Sequence, residues 1–195
     1  SLRKMFIAMS EDIRVIIVKL ADRIHNMRTL HHHPKFEKRE RIALETLNVY
    51  APIADRLGIF EFKEILENEC FRTLHPEDYE RINFELEELG AQQNNFYINA
   101  KKIVSEVIPG HIHVHEIGFR VKSAYSIFKK MHRKSGYDHV RDLHDLFAMR
   151  IITDTIPHCY EILGEIHTHW TPVPKKFKDY IALPKENGYQ SLHTT

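Results

Sequence analysis

The segment from Phe119 to Lys134 carries positive charge that could bind phosphate. It contains six basic residues and no acid: Arg120, Lys122, Lys129, Lys130, Arg133 and Lys134. A carboxylate follows at Asp145, in the string His144-Asp145-Leu146 at the head of an apolar stretch. Phosphoryl-type transfer needs cations to neutralise phosphate charge and a carboxylate to hold a magnesium ion, so the pairing fits that chemistry. A solvated helix face is the alternative interpretation of the basic run.

A second candidate lies nearer the N-terminus, where Asp22, Asn26 and Thr29 recur at i, i+4 and i+7 and share one helix face. An acid on an otherwise apolar helix needs a partner, because burying a bare carboxylate is costly. A salt bridge or a capping contact is the alternative to a functional role. His25 and the run 31–33 lie close by, but adjacent histidines on a helix point in different directions, which favours a surface or helix-end role.

The elements that must position these residues are helical in the first half of the chain. Apolar residues at helical spacing predict three helices: Ile13 to Leu30, Ile42 to Leu57 and about Phe60 to Leu74. Pro34 separates the first two, and Gly58 offers a C-cap. Pro76 is a good first-turn residue for a fourth helix, which Gly90 ends or bends.

After about residue 110 the pattern changes to alternating strands and helices. The predicted elements are extended chain over 112–117, a helix over 121–134, a strand over 146–152, a helix over about 157–169 and a strand over about 180–183. This alternation predicts a sheet with helices packed on it, so the expected fold class is α+β.

The overall charge gives no support to a general role in coating nucleic acids. The net charge is +1, with 28 basic and 27 acidic residues, so any polyanion site must be local and no direct sequence-specific DNA binding is expected. Residues 61–90 hold ten acids against Lys63, Arg72 and Arg81, which is typical of a helical connector and unsuited to phosphate.

The two cysteines, Cys70 and Cys159, lie far apart with no CxxC spacing. This argues against a zinc knuckle or a disulfide framework and fits a reducing cytosol. No apolar run approaches the roughly 20 residues that a membrane span needs, and the first residues lack the apolar stretch of a signal peptide. We therefore expect a cytoplasmic protein without a membrane partner.

The string KLADRIHNMRTL, residues 19–30, resembles the last metal-ligand segment of the RelA/SpoT hydrolase domain, a helical HD-type metal phosphohydrolase. The resemblance implies that Asp22 completes a Mn²⁺ site whose other ligands, a His and a His-Asp pair, come from earlier helices. It also implies that Asn26 and Thr29 contact the nucleotide. Such a metal would generate a hydroxide and polarise the 3′ pyrophosphate of (p)ppGpp.

The closing stretch, residues 176–194, is similar to the signature of the RelA/SpoT synthetase domain, which is related in fold to nucleotidyltransferases and has a mixed sheet. RVKSAYSIFKKM and DLFAMRI precede it in the same order. The resemblance implies that Asp145 binds Mg²⁺, that Arg120 stacks on adenine and that Tyr189 stacks on the guanine of GDP or GTP. It further implies that Lys122, Lys130, Lys178 and Lys185 hold phosphates, with Asn187 and His193 nearby.

The physical chemistry agrees with these roles, because a guanidinium plane and a tyrosine ring both stack on bases. A turn with a packed aromatic is the alternative for Gly188 and Tyr189. The sequence also departs from the family pattern. Phe119 stands where the family usually has Gly, and Val121 and Ser123 replace the commoner Pro and His. The string Lys176-Phe177-Lys178-Asp179 resembles the basic RxKD version of bifunctional members, with Lys for Arg.

These observations predict parts of a bifunctional enzyme of the stringent response: the tail of an HD-type hydrolase domain (1–37), a helical connector (38–75) and the N-terminal part of a synthetase domain (76–195). The expected reactions are pyrophosphate transfer from ATP to the 3′ hydroxyl of GDP or GTP, and hydrolysis of (p)ppGpp. We expect the glutamate that activates this hydroxyl to lie beyond Thr195, and any ribosome association to use other regions.

Two alternatives stay open. A non-catalytic nucleotide-binding regulatory module would fit two incomplete sites. A metal phosphohydrolase acting on another nucleotide would explain Asp22 but not the synthetase strings.

Overall fold

The computed structural model describes residues 12–133, 137–143 and 145–195, without the side chains of 91–95. Lys134 and His144, which the sequence analysis singled out, lie outside these ranges. The chain divides into two compact units. The first holds residues up to Arg81 together with Ser123–Phe128, and the second holds Ile82–Lys122 together with Lys129–Thr195. Helices predominate and strands are few, which confirms the α+β class.

The first unit is built from helices in the predicted order, although the helix predicted from Ile42 begins at Phe36. They are α1 (Ile13–Arg28), a 3₁₀ turn (Leu30–His32), α2 (Phe36–Glu45), a π-helical turn (Thr46–Tyr50), α3 (Ala51–Arg56) and α4 (Phe60–Leu74). The side chains of α1 that are buried, Ile16, Leu20, Ile24 and Met27, recur at helical spacing and join the core of this unit.

The π-helical turn precedes Pro52 for a steric reason. Proline has no N–H to donate to the carbonyl four residues back, and its ring crowds that carbonyl. The turn widens here, because the N–H of Ala51 bonds to the carbonyl of Thr46, five residues earlier. Such π-bulges occur as single turns inside longer helices.

Gly58 ends α3, as predicted. It has φ of 72°, in the left-handed region that glycine adopts without steric cost. Its N–H donates to the carbonyl of Asp55 at 3.0 Å, and the N–H of Ile59 donates to that of Ala54 at 2.9 Å. This pair of bonds is the Schellman motif, which satisfies the last carbonyls of a helix.

The long helix α5 (Pro76–Val107) begins at the predicted proline and continues past Gly90, which was predicted to end or bend it and does not end it. A glycine inside a helix costs only about 1 kcal/mol relative to alanine, which 32 residues of helix can absorb. None of the helices described is both long and apolar enough to cross a membrane.

The remaining elements are β1 (Val114–Val121), α6 (Ala124–Arg133), a 3₁₀ turn (Val140–Asp142), β2 (Phe147–Thr153), α7 (Ile156–His169), β3 (Lys178–Asp179) and β4 (Leu192–His193). The helix predicted from residue 121 begins later, because Val121 still pairs with Phe147 in the sheet. Ser123 then caps the helix, since its Oγ accepts the N–H of Ser126 at 3.4 Å.

Both strand pairs are antiparallel: β1 pairs with β2, and β3 pairs with β4. The described residues therefore form two separate two-stranded sheets, where the family resemblance implied one mixed sheet. Apolar patterning does not encode strand direction, and the connection from β1 to β2 through α6 is long enough to return the chain antiparallel.

The strand predicted over 180–183 is wrong, because these residues form a turn. Asp179 ends β3 by accepting two backbone N–H groups with its Oδ1, from Ile181 at 2.9 Å and Ala182 at 2.8 Å. An aspartate that bonds the backbone two residues on offers the chain an alternative to the sheet ladder.

Both cysteines are free thiols. Burial in the core of the first unit raises the pKa of Cys70 to about 12, so its thiol stays protonated and unreactive.

Candidate active sites

The polar face of α1 points to solvent, opposite its buried residues. Asp22, Asn26 and Thr29 are all exposed. The amide Nδ2 of Asn26 donates to Asp22 Oδ2 at 3.3 Å. Thr29 caps the C-terminus of the helix, and its hydroxyl donates to the carbonyl of His25 at 3.1 Å. The structure thus brings Asp22 and Asn26 together and leaves the carboxylate open to a ligand.

Asp22 can supply one oxygen ligand to a divalent ion. Within the described ranges, it belongs to no group of three ligand-type side chains. That the other ligands come from earlier helices stays a prediction. His31 and His32 are exposed in the 3₁₀ turn that follows α1, and they too belong to no such group among these residues.

The basic run and Asp145 meet in the second unit. Lys122 directly follows β1, Lys130 lies on α6 and Asp145 lies just before β2. Lys122 Nζ donates to Asp145 Oδ2 at 2.7 Å, and Lys130 Nζ donates to Oδ1. Three residues that are up to 23 positions apart therefore form one cluster, which we call the lysine–aspartate cluster.

The electrostatics of this cluster favour an ionised carboxylate. Partial burial alone would raise the pKa of Asp145, but the hydrogen bonds and charges of Lys122 and Lys130 outweigh it and lower the pKa to about 2. The side chain is also 51% exposed. A charged, accessible carboxylate is a suitable ligand for a hard cation such as Mg²⁺.

A second cluster lies in and beside the loop between β3 and β4, and we call it the aromatic cluster. Its members are Tyr180, Lys185, Tyr189 and His193. Lys185 Nζ lies 4.7 Å from the centre of the Tyr180 ring and 4.8 Å from that of the Tyr189 ring. The hydroxyl of Tyr189 is 2.8 Å from His193 Nε2. The cluster combines a cation with flat aromatic faces, which suits an anion attached to a planar base.

The loop geometry follows from its sequence. Gly188 has φ of 75°, a conformation that other residues rarely adopt. Its N–H donates to the carbonyl of Lys185 at 2.8 Å, and Asn187 Oδ1 accepts the N–H of Tyr189 at 3.2 Å. A turn with a packed aromatic therefore also describes these residues, and stacking of Tyr189 on guanine stays a prediction.

The electrostatic environment of His193 connects this loop with β1. Desolvation lowers the pKa of His193, and the charges of Lys185, Lys178 and Arg120 lower it further. Lys178 is the partner of His193 in the β3–β4 pair. Four predicted site residues therefore lie in one positively charged region. The lowered pKa favours the neutral form of His193, which adds no further positive charge there.

Sequence analysis missed three side chains that support this region: Tyr160, Asp179 and Tyr180. The hydroxyl of Tyr160, on α7, donates to Asp179 Oδ2 at 2.8 Å. Tyr180 lies 5.2 Å, ring centre to ring centre, from His193. Asp179 and Tyr180 lie within the closing stretch, residues 176–194. Only three-dimensional contacts could indicate the role of Tyr160.

Comparison with known proteins agrees with two candidate sites in different parts of the chain. Residues 119–195 match the family described as a region found in RelA / SpoT proteins, and residues 1–60 match an HD domain. The first range contains the lysine–aspartate and aromatic clusters, and the second contains Asp22.

Relatives align along almost the entire chain. It is 47% identical over 193 residues to a GTP pyrophosphokinase of Myxococcus xanthus, covering 99% of this chain and 25% of that protein. It is 44% identical over 197 residues to a guanosine-3′,5′-bis(diphosphate) 3′-pyrophosphohydrolase of Aquifex aeolicus, covering 99% and 27%. A Borreliella burgdorferi protein of the same name is 45% identical over 196 residues, covering 100% and 29%.

The chain thus spans between a quarter and a third of the length of these relatives. Its matches to both the RelA/SpoT region and an HD domain, with relatives named for the kinase and for the hydrolase, lead to one conclusion. The chain belongs to the RelA/SpoT family.

Proposed function

We propose that this protein makes and hydrolyses (p)ppGpp, using the second unit for synthesis and the polar face of α1 for hydrolysis. The observation that carries the proposal is the lysine–aspartate cluster. It joins two ammonium groups, which can bind phosphate, to one ionised carboxylate. Relatives named for each activity support it. We further propose the domain division already predicted, at residues 37 and 75.

In synthesis, the 3′ oxygen of GDP or GTP would form a bond to the β-phosphorus of ATP. The bond from that phosphorus to the oxygen bridging to the α-phosphate would break, and AMP would leave. Lys122 and Lys130 would bind phosphate oxygens and neutralise their charge. Asp145 would hold a magnesium ion, which supplies further neutralisation of the triphosphate.

Each nucleotide base would stack on one of the two side chains that the family resemblance implies. Tyr189 would stack on guanine, with Lys178 and Lys185 on its phosphates and Asn187 and His193 beside it. Arg120, exposed on β1, would stack on adenine. The positive environment around His193 supports phosphate binding here, because it is built from three cationic side chains.

In hydrolysis, Asp22 would be one ligand of a divalent ion, Mn²⁺ by the family resemblance, which supplies a nucleophile from water. Asn26 and Thr29 would contact the nucleotide. The exposure of all three side chains on one helix face supports this role, since substrate can reach them.

The test of synthesis compares neighbouring substitutions in the full-length protein. Asp145→Asn should reduce transfer from radiolabelled ATP to GDP at least 100-fold, because the cation is then poorly held. His144→Ala, the matched control one residue away, should retain most of the rate. A larger loss in His144→Ala than in Asp145→Asn would contradict the proposal, and nucleotide binding without turnover in the wild type would favour a regulatory module.

A further inference from the structure

Two histidines and an aspartate meet at the opposite end of the β1–β2 pair from Asp145. His113 directly precedes β1, His115 lies near its start and Asp154 directly follows β2. Because the steps along β1 from His115 to Lys122 rise about 3.3 Å each, this end lies about 23 Å from the lysine–aspartate cluster. The proposed synthetase chemistry therefore does not use these side chains.

A β-bulge at His115 gives the strand its local geometry. Val114 pairs with Thr153 and Glu116 pairs with Ile152, so two steps on β1 match one step on β2 and His115 is the extra residue. Bulges re-aim a side chain relative to a regular strand. The backbone beside it is also fixed, because the Thr153 hydroxyl donates to the carbonyl of His113 at 2.8 Å.

The ligand-type atoms of His113, His115 and Asp154 all lie within 4.8 Å of one another. His113 Nδ1 is 3.4 Å from Asp154 Oδ2, and His115 Nε2 contacts Asp154 Oδ1. The two imidazole rings are perpendicular, with centres 4.6 Å apart. A tetrahedral ion with bonds of about 2.0–2.2 Å needs ligand atoms a little over 3 Å apart, so small side-chain rotations suffice.

The donor set and its surroundings suit a transition-metal ion. Imidazole nitrogen and carboxylate oxygen are ligands of Zn²⁺ and its neighbours, whereas Mg²⁺ prefers oxygen alone. Desolvation would raise the pKa of Asp154, but the hydrogen bonds from His113 and His115 outweigh it and keep the pKa low, so the carboxylate is charged at neutral pH. All three side chains are exposed, which leaves the position open to an ion from solution.

We propose that His113, His115 and Asp154 bind one first-row transition-metal dication of the Zn²⁺ type, with water completing its coordination. The ion would join the start of β1 to the segment between β2 and α7. It is separate from the manganese and magnesium sites implied by the family, because Asp22 lies in the first unit and Asp145 lies at the other end of the β1–β2 pair.

The experiment is a zinc titration of the purified full-length protein after chelator treatment, followed by calorimetry. Because zinc can also enter the Mn²⁺ site proposed at Asp22, we expect one zinc site per chain in addition to that one, and millimolar Mg²⁺ should not displace it. His115→Gln and Asp154→Asn should each weaken its affinity at least ten-fold, since each removes a ligand. The same titration with Co²⁺ should give visible absorption bands in the wild type, and both variants should lose the part of this absorption that the His113–His115–Asp154 site contributes.

The matched control is His111→Gln. His111 is another exposed histidine, two residues from His113, and its Nε2 lies 3.0 Å from Glu161 Oε1 in a separate ion pair. This variant should bind zinc as the wild type does. Circular dichroism must first establish that every variant is folded. Equal zinc affinity and stoichiometry in the wild type, His115→Gln and Asp154→Asn would overturn the proposal and leave an ordinary ion pair.

Discussion

At the scale of single residues, Asp145 is the group that joins two lysines of the second unit. Its two oxygens receive one lysine each, from the end of β1 and from α6. Because two like charges are held by one opposite charge, removing the carboxylate leaves two ammonium groups facing each other. Substitution at Asp145 should therefore affect local stability as well as catalysis.

The pH dependence of stability tests this arrangement. The folded pKa of Asp145 is about 2, below the ordinary value of about 4 that it has when unfolded. The stabilisation is therefore complete above about pH 4 and is lost as the pH falls toward 2. In urea unfolding, the free-energy difference between wild type and Asp145→Asn should shrink over this window. A difference that is constant from pH 5 to pH 2 would contradict the pairing with Lys122 and Lys130.

Guanine nucleotide affinity should depend on the ring of Tyr189. Base stacking contributes about 1–3 kcal/mol, so Tyr189→Ala should weaken GDP binding roughly ten-fold or more. Tyr189→Phe keeps the ring and loses the hydroxyl, which contacts His193. Calorimetric GDP titration should show little loss in this variant.

Thermal stability must be measured on both Tyr189 variants, because the ring also packs against its neighbours. If folded Phe and Ala variants lose GDP affinity equally, the hydroxyl rather than the ring mediates binding. Lys178, Lys185 and Asn187 would then share recognition of the acceptor with this hydroxyl.

The sequence predicted individual site residues better than the contacts between them. Lys122, Lys130 and Asp145 were paired by chemical type, and the structure brings them together. The contribution of Tyr160 was not predictable, because it lies 19 residues from Asp179 and has no periodic or charge signal. The approach of His113 and His115 to Asp154 was not predictable either, because it depends on the β-bulge at His115.

At the scale of elements, helix ends were predictable where glycine or proline determines the backbone. Pro76 and Gly58 mark real boundaries. Gly90 does not, because an isolated glycine weakens a helix without ending it. The turn after Asp179 was mistaken for a strand since apolar residues follow it, and the competing side-chain bonds of the aspartate are invisible to hydrophobic periodicity.

Two glycine-to-alanine substitutions should have opposite effects on stability. Gly58→Ala places a side chain at φ of 72° and should cost about 1 kcal/mol. The Cβ that Gly90→Ala adds in α5 meets no atom within 4 Å in the described part of the chain, so this change should stabilise the protein by up to about 1 kcal/mol. Melting temperatures of the two variants should move in opposite directions, and a rise for both would show that the left-handed conformation at Gly58 is not required.

At the scale of the whole molecule, the two proposed activities reside in separate compact units. Asp22 lies in the first, and the lysine–aspartate cluster lies in the second. Local loss of one carboxylate should therefore leave the other reaction intact, provided that both units remain folded.

Asp22→Asn should abolish Mn²⁺-dependent hydrolysis of ppGpp by the full-length protein and spare synthesis, because it removes a metal ligand. Asp12→Asn is the matched control. Asp12 caps the start of the same helix, and asparagine caps equally well, so that variant loses one charge and should keep both activities. Release of pyrophosphate from ppGpp measures the outcome, and undiminished release by folded Asp22→Asn protein would remove Asp22 from the metal site.

The ion pairs of Lys122 and Lys130 with Asp145 should also couple the binding of cation and nucleotide. Phosphate that draws the lysines away frees the carboxylate for a cation, and a cation that occupies the carboxylate frees the lysines for phosphate. Each ligand thus removes the competitor of the other, and linkage makes this assistance mutual and equal in free energy. Cation and nucleotide should bind cooperatively, whereas in Asp145→Asn the lysines are released in advance, so metal-free nucleotide should bind more tightly there than to the wild type.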